Sequence, residues 1–361
     1  MKRAYNKIIP YYTGRPMPSK PFNLPWHQHE HYWLCVAARE GQLPVELVGV
    51  LKKIGLQPIE GGMAVQAPRQ WKKVWDGIYG ALKRMDALNS VELFITPGAE
   101  WSLANAKTAV EMQQLAESLW LGDALLAGRI MCYLQPVMSG ADAIFGYESF
   151  ARVQDTDGSI IAGDRIVAAS RVLGIQHMID RHLHVQAIKT FVASDFDGFL
   201  FVNFFPGFIH RPEVYLEGLT ETVANYGVTP GHIVLDFTRM ETPRDLQHIK
   251  SICDYGRSRG YSIAIDDIVS VENTRRLVAE IHPDFVKVDT LRLQKMGGDA
   301  LGKTVAAIVE VAHAAKATVI AEGVETAERF AELKQLGVDL FQGYYFSPPV
   351  PAPAALRQKK A

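Results

Sequence analysis

Cysteine is scarce in this chain of 361 residues: Cys35, Cys132 and Cys253 lie far apart and form no C-x-x-C pair. That argues against a disulfide or zinc framework and for a reducing compartment. An excess of charge of either sign is also missing. The formal net charge is -1, so no global polyanion-binding surface and no DNA partner are expected, and phosphate recognition must be local. Long apolar runs are absent as well. The most apolar stretches are interrupted by Asp123 and Arg129, or by Lys303 and Glu310. None reaches the roughly 18 residues that a membrane span needs. The polar start, Met1 to Lys7, is followed by no apolar segment of signal-peptide type. The expectation is a soluble, cytoplasmic protein without a membrane partner. No glycine-rich phosphate loop follows any strand candidate, which weakens an open doubly wound sheet.

What is present is an ordinary globular composition, 48% apolar and 21% charged, long enough for two domains. Residues 1–100 read as a small α/β domain with an expected sensory or regulatory role. It has a strand over 31–38, a helix over 45–54 and a strand over 92–96 closed by Pro97-Gly98. Trp71, Trp75, Ile78, Leu82 and Met85 recur at helical spacing and make a core face. A helical pattern over 101–126 gives a connecting helix, 101–128. Trp26-His27-Gln28-His29-Glu30-His31-Tyr32 alternates three histidines, read as a polar strand edge or loop rather than a metal or haem contact. The basic residues Arg357 to Lys360 fall in a solvated tail, 356–361.

From residue 129 short β-rich runs alternate with helices. Strands are expected over 130–137, 143–153, 198–205, 233–238, 262–268, 285–288, 318–321 and 340–346. Helices are expected over 162–181, 214–226, 243–259, 273–281, 301–315 and 327–336. Only the first two strands lack a helix between them. The alternation predicts a parallel sheet closed as a TIM-like (β/α)8 barrel over 129–355.

Nearly every strand ends in one polar residue among apolar neighbours: Gln135, Glu148, Asn203, Asp236, Asp266-Asp267, Lys287, Glu322 and Gln342. In such a barrel these ends share one mouth. Carboxylates forced together repel, and a divalent cation removes the conflict. Oxygen ligands suit Mg2+ or Mn2+ better than Zn2+, and a cluster of this size can hold two ions for displacement at phosphorus. A single acid at a strand end is often an N-cap or turn former, and Lys287 alone is compatible with a structural ion pair. Repetition over eight strands favours the functional reading.

The order of these residues resembles the EAL domain family. The family's E-A-L stands here as Glu148-Ser149-Phe150, with its phosphate-contacting arginine at Arg152. Tyr133-Leu134-Gln135-Pro136, Val202-Asn203-Phe204-Phe205-Pro206, Asp266-Asp267 and Val286-Lys287-Val288-Asp289 match its motifs in order. Ala321-Glu322-Gly323-Val324-Glu325-Thr326 and Phe341-Gln342-Gly343-Tyr344-Tyr345-Phe346 close the series. The resemblance implies hydrolysis of cyclic di-GMP to linear pGpG. It implies one metal on Glu148, Asn203, Asp236 and Asp266, and a second on Asp266, Asp267 and, through water, Glu322. It further implies Lys287 orienting water, Glu322 as general base, and Gln135, Arg152, Gln342 and Glu325 contacting the ligand.

Three departures stand against that pattern. The family's glutamate after the fourth strand is Asp236, one methylene shorter. Its second glutamate, three residues on, is Arg239. The family loop D-D-F-G-T-G-Y-S-S reads Asp266-Asp267-Ile268-Val269-Ser270-Val271-Glu272-Asn273-Thr274, without glycine. Two functions follow as expectations: a phosphodiesterase of weak or conditional turnover, or a non-hydrolysing barrel that senses cyclic di-GMP or docks a protein partner. In the family the rewritten loop also supports contacts of a homodimer.

Overall fold

The computed structural model describes residues 31–59, 62–68, 71–96, 106–141, 143–209, 211–238, 246–297 and 301–351. Two histidines of the alternating run (His27 and His29), the start of the 101–126 helix, Arg239 and the basic tail lie outside the described residues. The chain forms two compact units, 1–129 with 155–176, and 130–154 with 177–361. No described helix is long and apolar enough to cross a membrane.

In the first unit the order is β1 (His31–Ala38), α1 (Val45–Lys53), β2 (Gln57–Ile59), β3 (Gly62–Pro68), α2 (Lys72–Arg84) and β4 (Val91–Thr96). The sheet runs β2-β3-β1-β4, with β1 antiparallel to β3 and β4. This is a β-α-β-β-α-β arrangement. Trp71, Trp75, Ile78 and Leu82 are buried, as their spacing requires. The following helix, α3 (Ala109–Leu126), starts at Ala109. Lys107 still bridges to Leu93 in extended form. Thr108 then caps the helix: its hydroxyl accepts from Glu111 N–H, and Glu111 reaches back to Thr108 N–H. Both faces of α3 carry buried residues, among them Met112, Leu115, Leu119 and Leu125, and it packs against α2. β7 (Ile160–Ala162) and α4 (Gly163–Leu173) belong to this unit.

The second unit contains β5 (Ile130–Met138), β6 (Ile144–Gln154), α5 (Gln176–Ala193), β8 (Phe199–Phe204), α6 (Pro212–Asn225), β9 (Ile233–Phe237) and α7 (Leu246–Ser258). It continues with β10 (Ser262–Ile268), α8 (Val271–Ile281), β11 (Phe285–Asp289), α9 (Thr290–Gly297) and α10 (Leu301–Ala314). β12 (Thr318–Glu322), α11 (Ala327–Gln335), β13 (Leu340–Phe341) and β14 (Val350–Pro351) complete it. Strands β5, β6, β8, β9, β10, β11, β12 and β13 close on themselves through the β5–β6 pairing. The fold is therefore the expected TIM-like barrel, with one correction. β5 runs antiparallel to both β6 and β13, because the hairpin joining β5 to β6 has no crossover helix to restore direction.

Two further differences have local causes. The single helix expected over 162–181 is two, α4 and α5. Gly174, at φ 66°, takes the left-handed conformation that ends α4. The closing strand expected over 340–346 stops at Phe341. There Gly343 lies against the backbone of Val324, with no room for a side chain. Tyr345 N–H donates to Val324 O and Val324 N–H to Gln342 O, so the chain turns across the end of β12 instead of extending.

Candidate active site

The two-residue repeat of a strand positions the site. Val137, Phe201, Val234, Ala264, Phe285, Ile320 and Leu340 form one apolar layer of buried side chains. Two residues further along each parallel strand, or just beyond its end, stand Asn203, Asp236, Asp266, Lys287, Glu322 and Gln342. β5 runs the other way, and Gln135 is two residues before Val137. Residues two apart share a strand face, so a polar layer sits above the apolar one at the carboxyl ends. Glu148 joins it from β6, opposite Gln135 in register.

Lys287 is fully buried at the centre of this layer. Its Nζ donates to Asp236 Oδ2 at 2.7 Å and Glu148 Oε2 at 2.9 Å. It lies 2.8 Å from Glu322 Oε1 and 3.6 Å from Asp266 Oδ1. Asn203 Nδ2 donates to Glu148 Oε1 at 2.9 Å and Ser149 O at 3.3 Å. Gln342 Nε2 donates to Glu148 Oε2 at 2.9 Å and Gln135 Oε1 at 3.2 Å. Gln135 Nε2 in turn donates to Ser347 O at 2.9 Å.

Burial and charge act against each other here. Burial pulls the Lys287 ammonium toward neutrality, but Asp236, Asp266, Glu148 and Glu322 together raise its pKa well above the ordinary lysine value. Asp236 is raised well above the carboxylate range, first by burial and then by Asp266 and Glu148, against the opposing pull of Lys287. Glu322 is raised for the same reasons, burial first and Asp266 next. One ammonium faces four carboxylates, so negative charge remains in excess.

The other expected site residues stand outside that cluster. Asp267 occupies a bulge between β10 and β11 at φ 61°, and its N–H donates to Asp266 Oδ1 at 2.7 Å. Arg152 lies four residues beyond Glu148 on β6. Its guanidinium is over the Tyr133 and Phe150 rings at 5.5 and 5.8 Å and donates to Ala151 O. Glu325 is exposed in the segment leading into α11.

The donor chemistry fits a hard divalent cation. Every candidate ligand offers oxygen, charge is in excess, and Asp236 Oδ1 is buried without a hydrogen-bond partner. As arranged, no three acidic, histidine or cysteine side chains among the described residues form a cation cage. Lys287 draws the carboxylates toward itself.

A polar trio on the outer side of β8, Asp180 and His184 buried and Tyr215 half-buried, was not among the expected residues. His184 Nε2 lies 3.1 Å from Asn203 O, Tyr215 Oη is 3.4 Å from His184 Nδ1, and Tyr215 donates to Asp180 Oδ2. The available signal was a polar pair four residues apart on α5, Asp180 and His184, among buried Ile179, Ala187 and Ile188.

Comparison with known proteins follows the same line. Residues 119–349 match the EAL domain family. The chain is 28% identical over 257 residues to probable cyclic di-GMP phosphodiesterase PdeI of Escherichia coli K12, covering 67% of this chain and 32% of that one. It is 26% identical over 227 residues to cyclic di-GMP phosphodiesterase PdeL of the same organism, covering 61% and 62%. It thus spans about a third to under two thirds of these relatives' length. Among solved structures, the PaMucR phosphodiesterase in complex with c-di-GMP superposes with TM-score 0.59 at 21% identity, over 67% of this chain and all of that one. Bacillus subtilis YkuI, solved with c-di-GMP and calcium, gives 0.55 at 22% identity, over 66% and 62%. Those two likenesses concern the fold. With its family match extending over 119–349, this chain belongs to the EAL domain family.

Proposed function

We propose that the barrel binds cyclic di-GMP at its mouth and, with Mg2+ or Mn2+, hydrolyses one phosphodiester to linear pGpG. The observation that carries this reading is the polar layer itself: Glu148, Asp236, Asp266 and Glu322 converging on Lys287 at the strand carboxyl ends. The relatives' names support the ligand class.

Glu148, Asn203, Asp236 and Asp266 would hold one cation, and Asp266 with Asp267 a second. A divalent ion held by these residues would acidify coordinated water and offset charge on phosphoryl oxygens. Lys287, kept protonated by its carboxylates, donates to the attacking water and to charge developing on the phosphate. Glu322, its pKa raised by burial and by Asp266, accepts the proton. Gln135, Gln342, Arg152 and Glu325 orient the nucleotide.

A second reading, a receptor that binds without turnover, is favoured by one observation: three carboxylates already pair with Lys287 within 2.9 Å. The deciding experiment incubates the protein with cyclic di-GMP and Mn2+ or Mg2+ and measures pGpG by chromatography, beside a binding titration in Ca2+. Turnover supports the enzyme. Binding with no pGpG under either metal replaces it with the receptor, and loss of both overturns the nucleotide reading.

A further inference from the structure

The pairing of β8 with β6 ends early. Gly146, Tyr147 and Glu148 pair with Phe199, Leu200 and Phe201, and the ladder stops there. Asn203 is two residues beyond. Phe204 O accepts from Thr238 N–H beyond the end of β9. Carbonyls alternate sides along a strand, so Asn203 O points to the β6 side, where no strand partner remains. A buried backbone carbonyl in that position needs a donor. The donor is the His184 imidazole, 3.1 Å away.

The ring is fixed on every side. It stacks on Phe204 with centroids 4.3 Å apart and planes 18° apart, and Tyr215 meets it edge-on. Tyr215 Oη faces Nδ1 at 3.4 Å and is itself tied to Asp180. Asp180 Oδ1 is 3.7 Å from Nε2, too far for a hydrogen bond. A carbonyl only accepts, so Nε2 carries hydrogen. With hydrogen on Nε2 the neutral ring's Nδ1 only accepts, so the single Tyr215 hydroxyl hydrogen goes either to Nδ1 or to Asp180 Oδ2, and the bond from Nε2 to Asn203 O stands in both arrangements.

We propose that His184, oriented by Tyr215 and Asp180, is a positioning residue that replaces the missing strand bond at Asn203 and so holds the Asn203 amide against Glu148 in the ligand layer. The inference rests on the proposed role of Asn203 as a cation ligand for its effect on turnover, but not for its effect on geometry. Without the imidazole the Asn203 carbonyl loses this donor, and the Asn203 side chain, already donating to Glu148 and Ser149 O, must hold its place without it. Glutamine at position 184 offers an N–H at nearly the reach of Nε2, whereas leucine fills the space and offers none.

The test uses the full chain with asparagine labelled in nitrogen-15, the Asn203 amide pair being identified by its loss in Asn203→Ala. In His184→Leu that pair is expected to leave its buried position in the spectrum, while thermal unfolding stays cooperative. The Mn2+ concentration for half-maximal pGpG formation should rise about tenfold, the size expected for one lost hydrogen bond. His184→Gln should keep the resonance and restore the metal requirement to within about threefold of the parent. If His184→Leu does not fold, Tyr215→Phe, which frees Nδ1, is read by the same two measurements and should move both in the same direction. An unchanged Asn203 resonance in His184→Leu overturns the proposal, and so does equal loss in the leucine and glutamine variants, which would make the role one of packing. A parent protein that forms no pGpG removes the catalytic reading alone, and the amide resonance still decides the positioning.

Discussion

At the residue scale Lys287 organises the site, and its removal separates charge balance from chemistry. Lys287→Met takes away the one ammonium that, among the described residues, faces Asp236, Glu148, Glu322 and Asp266. Breaking a buried ion pair on one side costs about 3–5 kcal/mol. The metal-free variant should therefore unfold at a lower temperature, and Mn2+ should raise its midpoint more than the parent's. Turnover should fall about 10²–10³-fold with cyclic di-GMP affinity little changed, as for loss of a charged donor to the transition state. Glu322→Gln should match it in turnover without the loss of stability. Parent-like pGpG formation in either variant would take that residue out of the mechanism.

The raised acids make a second prediction with a definite sign. Asp236 and Glu322 have pKa values above the usual range, so below those values the metal-free site holds protons. A cation held there would displace them. Mn2+ affinity should rise with pH until both acids are ionised, then level off. Calorimetry in two buffers of different ionisation enthalpy measures the protons released. No release at neutral pH would mean both acids are already ionised there. Most of this site was legible in the sequence, since a polar residue two positions past each inward apolar one follows from strand periodicity alone. The ion-pair geometry was not, because nothing in the order of residues says that Lys287 points at four carboxylates at once. Nor was the His184 network, whose Asp180 and His184 lie on α5 but whose Tyr215 comes from α6.

At the element scale the rewritten loop after Asp266-Asp267 looks different in three dimensions. Without glycine at positions 269 and 271, a positive φ there would be costly. The left-handed residue is instead Asp267, and aspartate tolerates that region better than a branched side chain does. Val269 packs against the core. Val271 opens α8 after Ser270, whose hydroxyl accepts from Asn273 N–H at 3.3 Å. Restoring glycine at 269 and 271 should therefore destabilise the protein by roughly 0.5–1 kcal/mol per site without raising turnover. Ser270→Ala should cost about 1 kcal/mol. Denaturant unfolding measures both, and a glycine variant with higher turnover at low Mn2+ would show the loop backbone to be limiting. Element existence was readable from periodicity. The direction of β5 had a signal as well, since the missing helix between β5 and β6 leaves a hairpin that reverses the chain. Two missed boundaries had local signals in Gly174 and in the Thr108-x-x-Glu111 capping box.

At the scale of the whole molecule, the family match and the packing draw different borders. The match begins at residue 119, inside α3, while compactness assigns all of α3 and residues 155–176 to the first unit. The chain therefore passes between units three times, at 129/130, 154/155 and 176/177. α4 buries Ile166, Ala169 and Leu173 and packs against α3, and Arg165 lies 5.9 Å from the Trp120 ring centroid. A chain cut to begin at Ile130 would keep all eight barrel strands yet leave α4 without α3. Burial of three such side chains contributes several kcal/mol, and exposed together they form an apolar patch that favours association. A chain beginning at Ala106 keeps α3, with its Thr108 cap, opposite α4. The 106–351 chain exposes the α2 face of α3 but keeps α4 covered, so the expected outcome is that it associates less by light scattering and unfolds more cooperatively than the 130–351 chain. If the shorter chain proves equally soluble and cooperative, α3 is dispensable to the barrel, and the border belongs at residue 130 with 155–176 counted as a surface insertion.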